Sequence, residues 1–254
     1  LTLAIAAQAK ALKSAGRDIC SLSAGEPDFD TPEFIVEATL KALRDGITRY
    51  GPAAGEPELR AAVAEKLSST NGIATTSEQV LITNGGKQAI YNLFQVLLNP
   101  GDLVLLPAPY WLSYPEMAAL AGAEVKLIPT QAEEGFRLDI NALEAAITPR
   151  SRLLVLNTPG NPTGRVMPRQ ELEAVAELVR GHPQLLVMSD EIYEFLLAKG
   201  EQHHSFAAIA PDLADRCFTV NGFAKGWAMT GWRLGYLAGH QNVIKAAAAL
   251  QLSL

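Results

Sequence analysis

The stretch Val80-Leu81-Ile82-Thr83-Asn84-Gly85-Gly86-Lys87, with the helix-period segment that continues from Lys87 to Leu98, decides the class of fold. A continuous apolar run such as Val80 to Thr83 is typical of a strand that is buried on both faces. The glycines then turn the chain, and Asn99-Pro100-Gly101-Asp102 ends the helix and leads into the next apolar run. This part of the sequence therefore predicts one strand, a tight turn and one helix.

The same alternation recurs along the rest of the chain. The further predicted strands are residues 103–106, 125–128, 153–156, 185–188 and 218–220, and the further predicted helices are residues 113–120, 140–146 and 168–179. Such alternation predicts an α/β fold, a mostly parallel sheet with helices on both faces. The apolar segment from Leu1 to Leu12 is interpreted as a packed helix rather than a secretory signal, because its lysines follow the apolar run.

Composition excludes several classes of partner. The chain has 254 residues, is 48% hydrophobic and carries a net charge of -6, without a basic cluster for nucleic acid or an anionic membrane. It lacks the roughly 18 consecutive apolar residues of a membrane span. Cys20 and Cys217 lack the spacing of a metal site, so we expect two buried thiols in a reducing, cytoplasmic location. Small molecules or other protein chains are the expected partners.

Polar segments follow five of the predicted strands. Ligands of open α/β sheets bind beyond the carboxyl ends of the strands, so these segments are the expected site. They are Asn84 to Lys87, Pro109 to Trp111, Asn157 to Gly164, Ser189 to Glu191 and Asn221 to Lys225.

Lys225 lies in the most informative segment, which runs from Val220 to Tyr236 and contains Phe, Ala, Gly, Trp and Met next to the lysine. A lone lysine is most often an exposed surface residue. Apolar neighbours favour the neutral amine, which is the form that condenses with an aldehyde. Arg233, eight residues later, is a candidate cation for a phosphate group.

Seven segments in this order resemble the class I aminotransferases, which share the aspartate aminotransferase fold and use pyridoxal 5'-phosphate. Any one of them is a weak signal, but seven in the family's order are specific. The segments are Ala24 to Asp30, Tyr50 to Gly55, Gly85 to Gln88, Pro109 to Trp111, Asn157 to Gly164, Ser189 to Glu194 and Val220 to Tyr236.

The resemblance implies roles for the residues that would hold the cofactor ring. Lys225 would carry it as a Schiff base and shuttle a proton during the reaction. Asp190 would pair with the protonated pyridine nitrogen. Tyr193, on the same face if a helical turn starts at Asp190, and Asn161 would bind the phenolic oxygen and lower the proton affinity of the Schiff base. Trp111 would stack on the ring, although each of these side chains also has an ordinary structural use as a cap, a turn or core.

The resemblance also implies a phosphate site and a dimer. Gly85 and Gly86 would offer backbone N–H groups to the phosphate at a helix N-terminus, and Arg233 would add charge. Tyr50 resembles the tyrosine that reaches the phosphate of the neighbouring subunit, which implies a homodimer. Gly222 stands where many relatives have a serine whose hydroxyl contacts the phosphate, so we expect that contact to be absent here.

Substrate contacts follow from the same resemblance. Lys87, after the paired glycines, and Thr2 resemble residues of relatives that act on dicarboxylic partners such as aspartate, glutamate or prephenate. Lys87 could instead face solvent or the cofactor phosphate. Gly25, Trp111 and Asn161 are also expected substrate contacts.

The domain organisation is expected from the resemblance as well. Residues 1–34 would form an N-terminal arm and part of an incomplete small domain, and residues 35–254 the large cofactor-binding domain. The sequence starts with Leu1 and stops in a helical run, so we expect a large domain truncated at its C-terminal end. The arginine that grips the substrate α-carboxylate is expected outside this sequence.

Two alternatives to an aminotransferase stay open. A lyase or cyclase on the same scaffold would use the same cofactor, because a fold does not fix a reaction. A non-catalytic effector-binding domain is the second, although no basic DNA-binding segment precedes it. No Gly-x-Gly-x-x-Gly or Walker motif is present, and the adjacent His203 and His204 are expected to be exposed rather than to bind metal.

Overall fold

The described residues form nine α-helices and seven β-strands, in a computed structural model that describes residues 2–21 and 25–253 and leaves out the side chains of residues 2–4 and 6. The helices are α1 (Thr2–Ser14), α2 (Glu33–Arg44), α3 (Pro57–Ser69), α4 (Gly86–Leu97), α5 (Ser113–Leu120), α6 (Ile140–Ala146), α7 (Arg169–Gly181), α8 (Phe206–Ile209) and α9 (Gln241–Gln251). The strands are β1 (Val80–Thr83), β2 (Leu103–Ala108), β3 (Glu124–Pro129), β4 (Ser151–Asn157), β5 (Leu186–Asp190), β6 (Cys217–Gly222) and β7 (Gly235–Ala238).

The strands form one sheet in the order β1-β7-β6-β5-β4-β2-β3. Neighbours are parallel from β3 across to β6, whereas β7 is antiparallel to both β6 and β1. All the described strands except β7 therefore end at the same edge of the sheet. The prediction of a mostly parallel sheet is confirmed.

The core lies on both faces of this sheet, because successive strand residues point to opposite sides. Leu153 and Val155 of β4 pack with α4, α5 and α9, whereas Leu154 and Leu156 pack with α6, α7 and α8. A third cluster holds α3 against β1 and β7. Burial on both faces explains why most of the strands have continuous apolar runs rather than an alternating pattern.

The six predicted strands and the four predicted helices from α4 to α7 are all present within two residues of their expected ends. Two details differ. β7 was not predicted, and β3 is an edge strand in which only Ile128 is fully buried. An edge strand has a neighbour on one side only, so solvent reaches the other side.

The N-terminal segment differs from expectation in its packing. A helix is present at α1, but its described side chains are exposed or half-buried, so the expectation of a packed helix is wrong for them. Cys217 is buried as expected, whereas Cys20 is exposed. The hydroxyl of Thr31 donates to the carbonyl oxygen of Ala228 at 2.6 Å, which fixes the segment ahead of α2 against the turn that follows β6.

Candidate functional site

The carboxyl ends of β4, β5 and β6 place polar side chains side by side. Asn157 lies opposite Asp190 in the β4–β5 register, and Asp190 lies opposite Val220 in the β5–β6 register. The side-chain amide of Asn157 donates to the backbone oxygen of Asp190 at 3.0 Å, and its side-chain oxygen accepts from the N–H of Asn161 at 2.7 Å. Parallel pairing thus brings three distant segments of the sequence to one edge.

Asp190 is a buried carboxylate without a cation beside it. Its Oδ2 accepts a hydrogen bond from the hydroxyl of Tyr114 at 2.7 Å, and its Oδ1 accepts from the N–H of Ile192 at 3.2 Å. In the part of the chain that the structure describes, no lysine, arginine or histidine forms an ion pair with it. Burial raises the pKa of Asp190 to about 6, against the opposing effect of these two hydrogen bonds.

Tyr193 and Asn161 meet above this carboxylate. The side-chain amide of Asn161 lies 3.3 Å from the hydroxyl of Tyr193. Tyr193 lies in a turn that follows β5, not in a helix, so the expected helical turn is replaced by a tighter bend of the chain. Burial raises the pKa of the Tyr193 phenol, and the negative charge of Asp190 raises it further.

Lys225 is half-buried in the turn after β6. Its amine donates to the carbonyl oxygen of Gly25 and lies 5.7 Å from the centroid of the Tyr193 ring. Burial lowers the pKa of the Lys225 amine, Glu26 opposes this effect, and the positive charge of Arg233 adds to it. The neutral amine, the nucleophilic form, is therefore favoured here relative to an exposed lysine.

The turn from β1 into α4 offers an anion site. Gly85 has a φ of 79°, and its N–H bonds the Thr83 carbonyl at 2.8 Å. The N–H groups of Gly86 and Lys87, by contrast, find no acceptor among the described residues. The guanidinium of Arg233 lies so near that a Cβ on Gly85 would be 2.4 Å from its Nη2 atom. Two free amides at the start of a helix and one guanidinium can together hold a phosphate.

Close backbone packing at this turn explains a glycine that departs from the family pattern. A Cβ on Gly235 in β7 would lie 2.6 Å from the carbonyl carbon of Gly85. A Cβ on Gly222 would lie 2.8 Å from the Cα of Gly235 and 2.9 Å from the carbonyl oxygen of Leu234. The position of Gly222 therefore has no space for a serine side chain.

Trp111 and Lys87 lie together at the same edge. The amine of Lys87 is 5.1 Å from the centroid of the Trp111 ring. The edge of the Trp111 ring contacts Tyr114 with centroids 5.3 Å apart. These contacts continue from Tyr114 to Asp190, so Lys87 and Trp111 are linked to the buried carboxylate through one tyrosine.

One of the expected site residues is not joined to this group, and a second is not tested. Tyr50 is fully exposed, and no described residue is recorded in contact with its hydroxyl. Thr2 begins α1, but its side chain lies outside the described residues, so the expected substrate contact is not tested. Gly25 does reach the site, through the hydrogen bond from Lys225.

Sequence reasoning missed Tyr114. It is 2% exposed and donates the shortest hydrogen bond that Asp190 receives, yet it lies in a helix-period segment where an aromatic residue is normally core. Its position three residues after Trp111, which ends one of the polar segments expected at the site, was the available signal. Glu26, which affects Lys225, was also not singled out.

Metal and membrane features are not found within the described ranges. No group of three or more His, Cys, Asp and Glu side chains could hold a metal ion there, and none of the helices is long and apolar enough to cross a membrane. The expectation that His203 is exposed is wrong. Its side chain is buried, and its Nε2 atom lies 3.1 Å from Oε2 of the buried Glu191.

Comparisons with known proteins agree with this geometry. The family described as aminotransferase class I and II matches residues 17–254. The bifunctional aspartate aminotransferase and glutamate/aspartate-prephenate aminotransferase of Petunia hybrida is 53% identical over 250 residues, which cover 98% of this chain and 52% of that protein. The aspartate/prephenate aminotransferase of Thermus thermophilus is 52% identical over 249 residues, which cover 98% of this chain and 63% of that protein.

The solved structures extend the likeness to three dimensions. The aspartate aminotransferase from Thermus thermophilus with maleate matches with a TM-score of 0.95 and 50% identity, over 99% of this chain and 65% of that one. The present chain thus spans between 52% and 65% of the length of these relatives.

Proposed function

Because this chain belongs to the class I and II aminotransferase family, we propose that it is the cofactor-binding part of an enzyme that moves an amino group between an amino acid and a 2-oxo acid. Enzymes of this family use pyridoxal 5'-phosphate. The observation that carries the proposal is the meeting of a half-buried lysine amine, a phenol and a buried carboxylate at one edge of the sheet.

The residues present fit the cofactor ring. Pyridoxal 5'-phosphate supplies an aldehyde that condenses with amines and a ring that accepts the electrons left when the substrate α-proton departs. Asp190 would hold the protonated ring nitrogen, which is the cation that its buried carboxylate lacks among the described residues. Tyr193 and Asn161 would donate hydrogen bonds to the ring oxygen, and Trp111 would cover a ring face.

The residues at the turn into α4 fit the phosphate. The free N–H groups of Gly86 and Lys87 and the guanidinium of Arg233 would hold it, since amides at a helix N-terminus and a planar guanidinium both suit phosphate oxygens. The glycines keep this turn open to an anion, because a side chain on Gly85 would occupy the space beside Arg233.

Lys225 has two tasks in this proposal. Its amine would first hold the cofactor. Once displaced by the substrate, it would take the proton from the substrate Cα and deliver it to the C4′ carbon of the cofactor. Both tasks need an unprotonated amine, and burial lowers the pKa of Lys225 in that direction. General base catalysis of this kind contributes about a hundredfold to ten-thousandfold to a rate.

The amino-group transfer itself is tested with the complete natural protein that carries this sequence. The protein reconstituted with pyridoxal 5'-phosphate should show a visible absorption band that shifts when an amino acid is added and returns when a 2-oxo acid is added. Return of the band shows transfer. A shift that releases ammonia, or a band that never responds, would favour a lyase or a non-catalytic binding domain instead.

Acidic substrates are the second part of the proposal. The Petunia relative is named for aspartate, glutamate and prephenate, and the Thermus relative is named for aspartate and prephenate. Lys87 supports the same choice here, because its exposed amine sits over Trp111 at the mouth of the site. A charge-assisted bond to a second carboxylate is worth about 1.5–3 kcal/mol, or roughly ten- to a hundredfold in kcat/KM.

Replacing Lys87 tests the substrate class. Lys87→Met should lower kcat/KM for aspartate or prephenate about ten- to a hundredfold while sparing an apolar amino acid. An equal loss for both kinds of substrate would assign Lys87 to the cofactor phosphate instead. Lys245→Met, a lysine of α9, is the matched control and should leave both substrates unchanged.

A homodimer with shared sites is the third part. The fully exposed Tyr50 and the exposed Phe29, Phe34 and Ile47 place apolar surface between residues 29 and 50. We propose that Tyr50 reaches the phosphate of a second copy, that residues 1–34 form the arm and part of the small domain, and that the enzyme is cytoplasmic.

Subunit mixing tests the shared site. A Lys225→Ala chain and a Tyr50→Ala chain should each be nearly inactive as homodimers. Heterodimers should recover activity, because one of their two sites contains both native residues. An active monomer in analytical ultracentrifugation would contradict the dimer.

A further inference from the structure

The turn that follows β5 contacts two different parts of the molecule. Asp190 and Tyr193 belong to the candidate cofactor site. The other two polar residues of the turn, Glu191 and Glu194, are buried outside that site, with 0% and 6% of their surface exposed. Buried carboxylates are costly unless several donors surround them, so their partners show what holds this turn in place.

Glu191 fixes the start of the turn. Its Oε1 accepts from the hydroxyl of Ser189 at 2.9 Å, and its Oε2 accepts from the hydroxyl of Ser205 at 2.6 Å. Its Oε2 also lies 3.1 Å from Nε2 of His203. These partners belong to β5 and to the segment that enters α8, so Glu191 anchors the turn away from Lys225.

Glu194 fixes the other end of the turn and does reach the strand that leads to Lys225. Its Oε1 accepts hydrogen bonds from the amine of Lys66 in α3 and, at 2.9 Å, from the side-chain amide of Asn221 in β6. Its Oε2 accepts from the side-chain amide of Asn71 at 2.8 Å. Two asparagines therefore donate the same kind of bond to the two oxygens of one carboxylate.

The side chain of Asn221 bonds both to Glu194 and to the backbone at the end of β6. It is 1% exposed and precedes Lys225 by four residues, and its side-chain oxygen accepts from the N–H of Gly222 at 2.7 Å. One amide thus connects the residue after Tyr193 to the end of β6, where the chain turns towards Lys225. Asn71 has no such link, since its second recorded partner is Ser205.

We propose that the Asn221–Glu194 hydrogen bond is a positioning contact that sets where the Tyr193 phenol stands relative to the Lys225 amine. It is a side-chain connection between the two segments, in addition to the backbone bond from the N–H of Glu191 to the carbonyl oxygen of Val220 at 2.8 Å. The amine lies 5.7 Å from the Tyr193 ring, so a small shift of either segment changes what the phenol can reach. The inference rests on the proposed function, because it concerns the residues that hold the cofactor.

The contact has a spectroscopic consequence. In the proposed site the Tyr193 hydroxyl would donate to the ring oxygen of the cofactor and would so lower the proton affinity of its linkage to Lys225. The charged groups that act on Lys225 are Glu26 and Arg233. Among the described residues, neither is a hydrogen-bond partner of the Asn221 or Glu194 side chain. Loss of the contact should weaken the Tyr193 bond and raise the pH midpoint of the visible absorption change by about half to one unit.

The experiment compares two asparagines on one carboxylate. In the complete natural protein loaded with pyridoxal 5'-phosphate, Asn221→Ala should raise the midpoint, whereas Asn71→Ala should leave it unchanged although it removes an equivalent bond from Glu194. Tyr193→Phe supplies the reference direction. Cofactor affinity, followed by quenching of tryptophan fluorescence, and thermal unfolding are measured for each variant.

A second variant protects the test against misfolding. Asn221→Ser is less disruptive, because its hydroxyl can still accept from the local backbone but is too short to reach Glu194, and it should shift the midpoint in the same direction. An unshifted midpoint in both Asn221 variants, an equal shift in Asn71→Ala, or unfolding of both Asn221 variants would each overturn the positioning role. A wild-type protein without any visible band would instead reject the proposed function, and the contact's role with it.

Discussion

The two ends of the candidate site are built in opposite ways. At the turn into α4, Gly85 and Gly235 bring backbone atoms so close that a Cβ on Gly235 would overlap the carbonyl carbon of Gly85 at 2.6 Å. At the carboxyl end of β5, Asp190 is held by buried side chains, with Tyr114 bonded at 2.7 Å and the carboxylates of the next turn fully engaged.

The difference separates binding from chemistry. In the proposed function, the glycine end would present backbone N–H groups and a guanidinium to a phosphate that keeps its charge throughout the reaction, so it would contribute to cofactor affinity. The side-chain end would present a carboxylate to a ring whose charge changes as the substrate α-proton leaves, so it would contribute to the rate. Substitutions at the glycine end should therefore lower cofactor affinity, whereas substitutions at the side-chain end should lower the rate.

The largest effect is expected at the side-chain end. Asp190→Asn should lower the rate of half-transamination by about a hundredfold to a thousandfold, the usual effect of removing one preorganised electrostatic group. Cofactor affinity should change much less, because the phosphate contacts remain. Single-turnover kinetics together with a cofactor titration check both parts, and near-normal rates would refute the role of Asp190.

The glycine end should show the reverse pattern. Gly235→Ala places a methyl group against the backbone at Gly85, so we expect cofactor affinity to fall by about a hundredfold, equivalent to roughly 3 kcal/mol. Gly231→Ala is the matched control, since a Cβ there would meet no atom within 4 Å. Equal affinities for the two variants would show that the close approach at Gly235 has no bearing on the phosphate site.

A smaller effect should appear in the pH dependence of stability. Burial raises the pKa of Asp190 to about 6 from an ordinary value of 3.8, so the folded protein binds this proton more tightly than the unfolded chain. The unfolding free energy of the cofactor-free protein should therefore fall, relative to Asp190→Asn, by as much as about 3 kcal/mol between about pH 4 and pH 7.

Denaturant unfolding at a series of pH values measures that difference. Bound cofactor should abolish the fall, because the ring nitrogen then supplies the missing cation. Tyr114→Phe removes a hydrogen bond that lowers the pKa of Asp190, so it should move the midpoint of the fall to higher pH. Parallel pH profiles for the wild type and Asp190→Asn would mean that the buried carboxylate is not the cause.

The fold was predictable wherever burial is symmetrical. Strands such as β4 and β5, covered on both faces, have continuous apolar runs that stand out in the sequence. β7 did not, because Gly235-Tyr236-Leu237-Ala238 is short and follows a turn whose pattern belongs to the lysine segment. β7 is antiparallel to both of its neighbours, and one of them, β1, lies more than 150 residues earlier in the chain.

Site residues were predictable where they lie in a segment that resembles a family motif. Lys225, Asp190, Tyr193 and Asn161 come together as the family resemblance implied, although their roles stay predictions. Tyr114 and Glu194 could not be found in the same way. Their importance comes from contacts with residues 76 and 27 positions away, and local sequence does not carry such pairings.

Chemical labelling of the cofactor lysine shows whether Lys225 is the residue that carries the cofactor. The complete natural protein, loaded with pyridoxal 5'-phosphate, is reduced with borohydride, which makes the bond between cofactor and lysine permanent, and is then digested and mapped. The site described above predicts one labelled lysine, Lys225, since its amine is half-buried beside Tyr193 and its lowered pKa favours the reactive form. A label on Lys87 or Lys245, with Lys225 unmodified, would contradict the account.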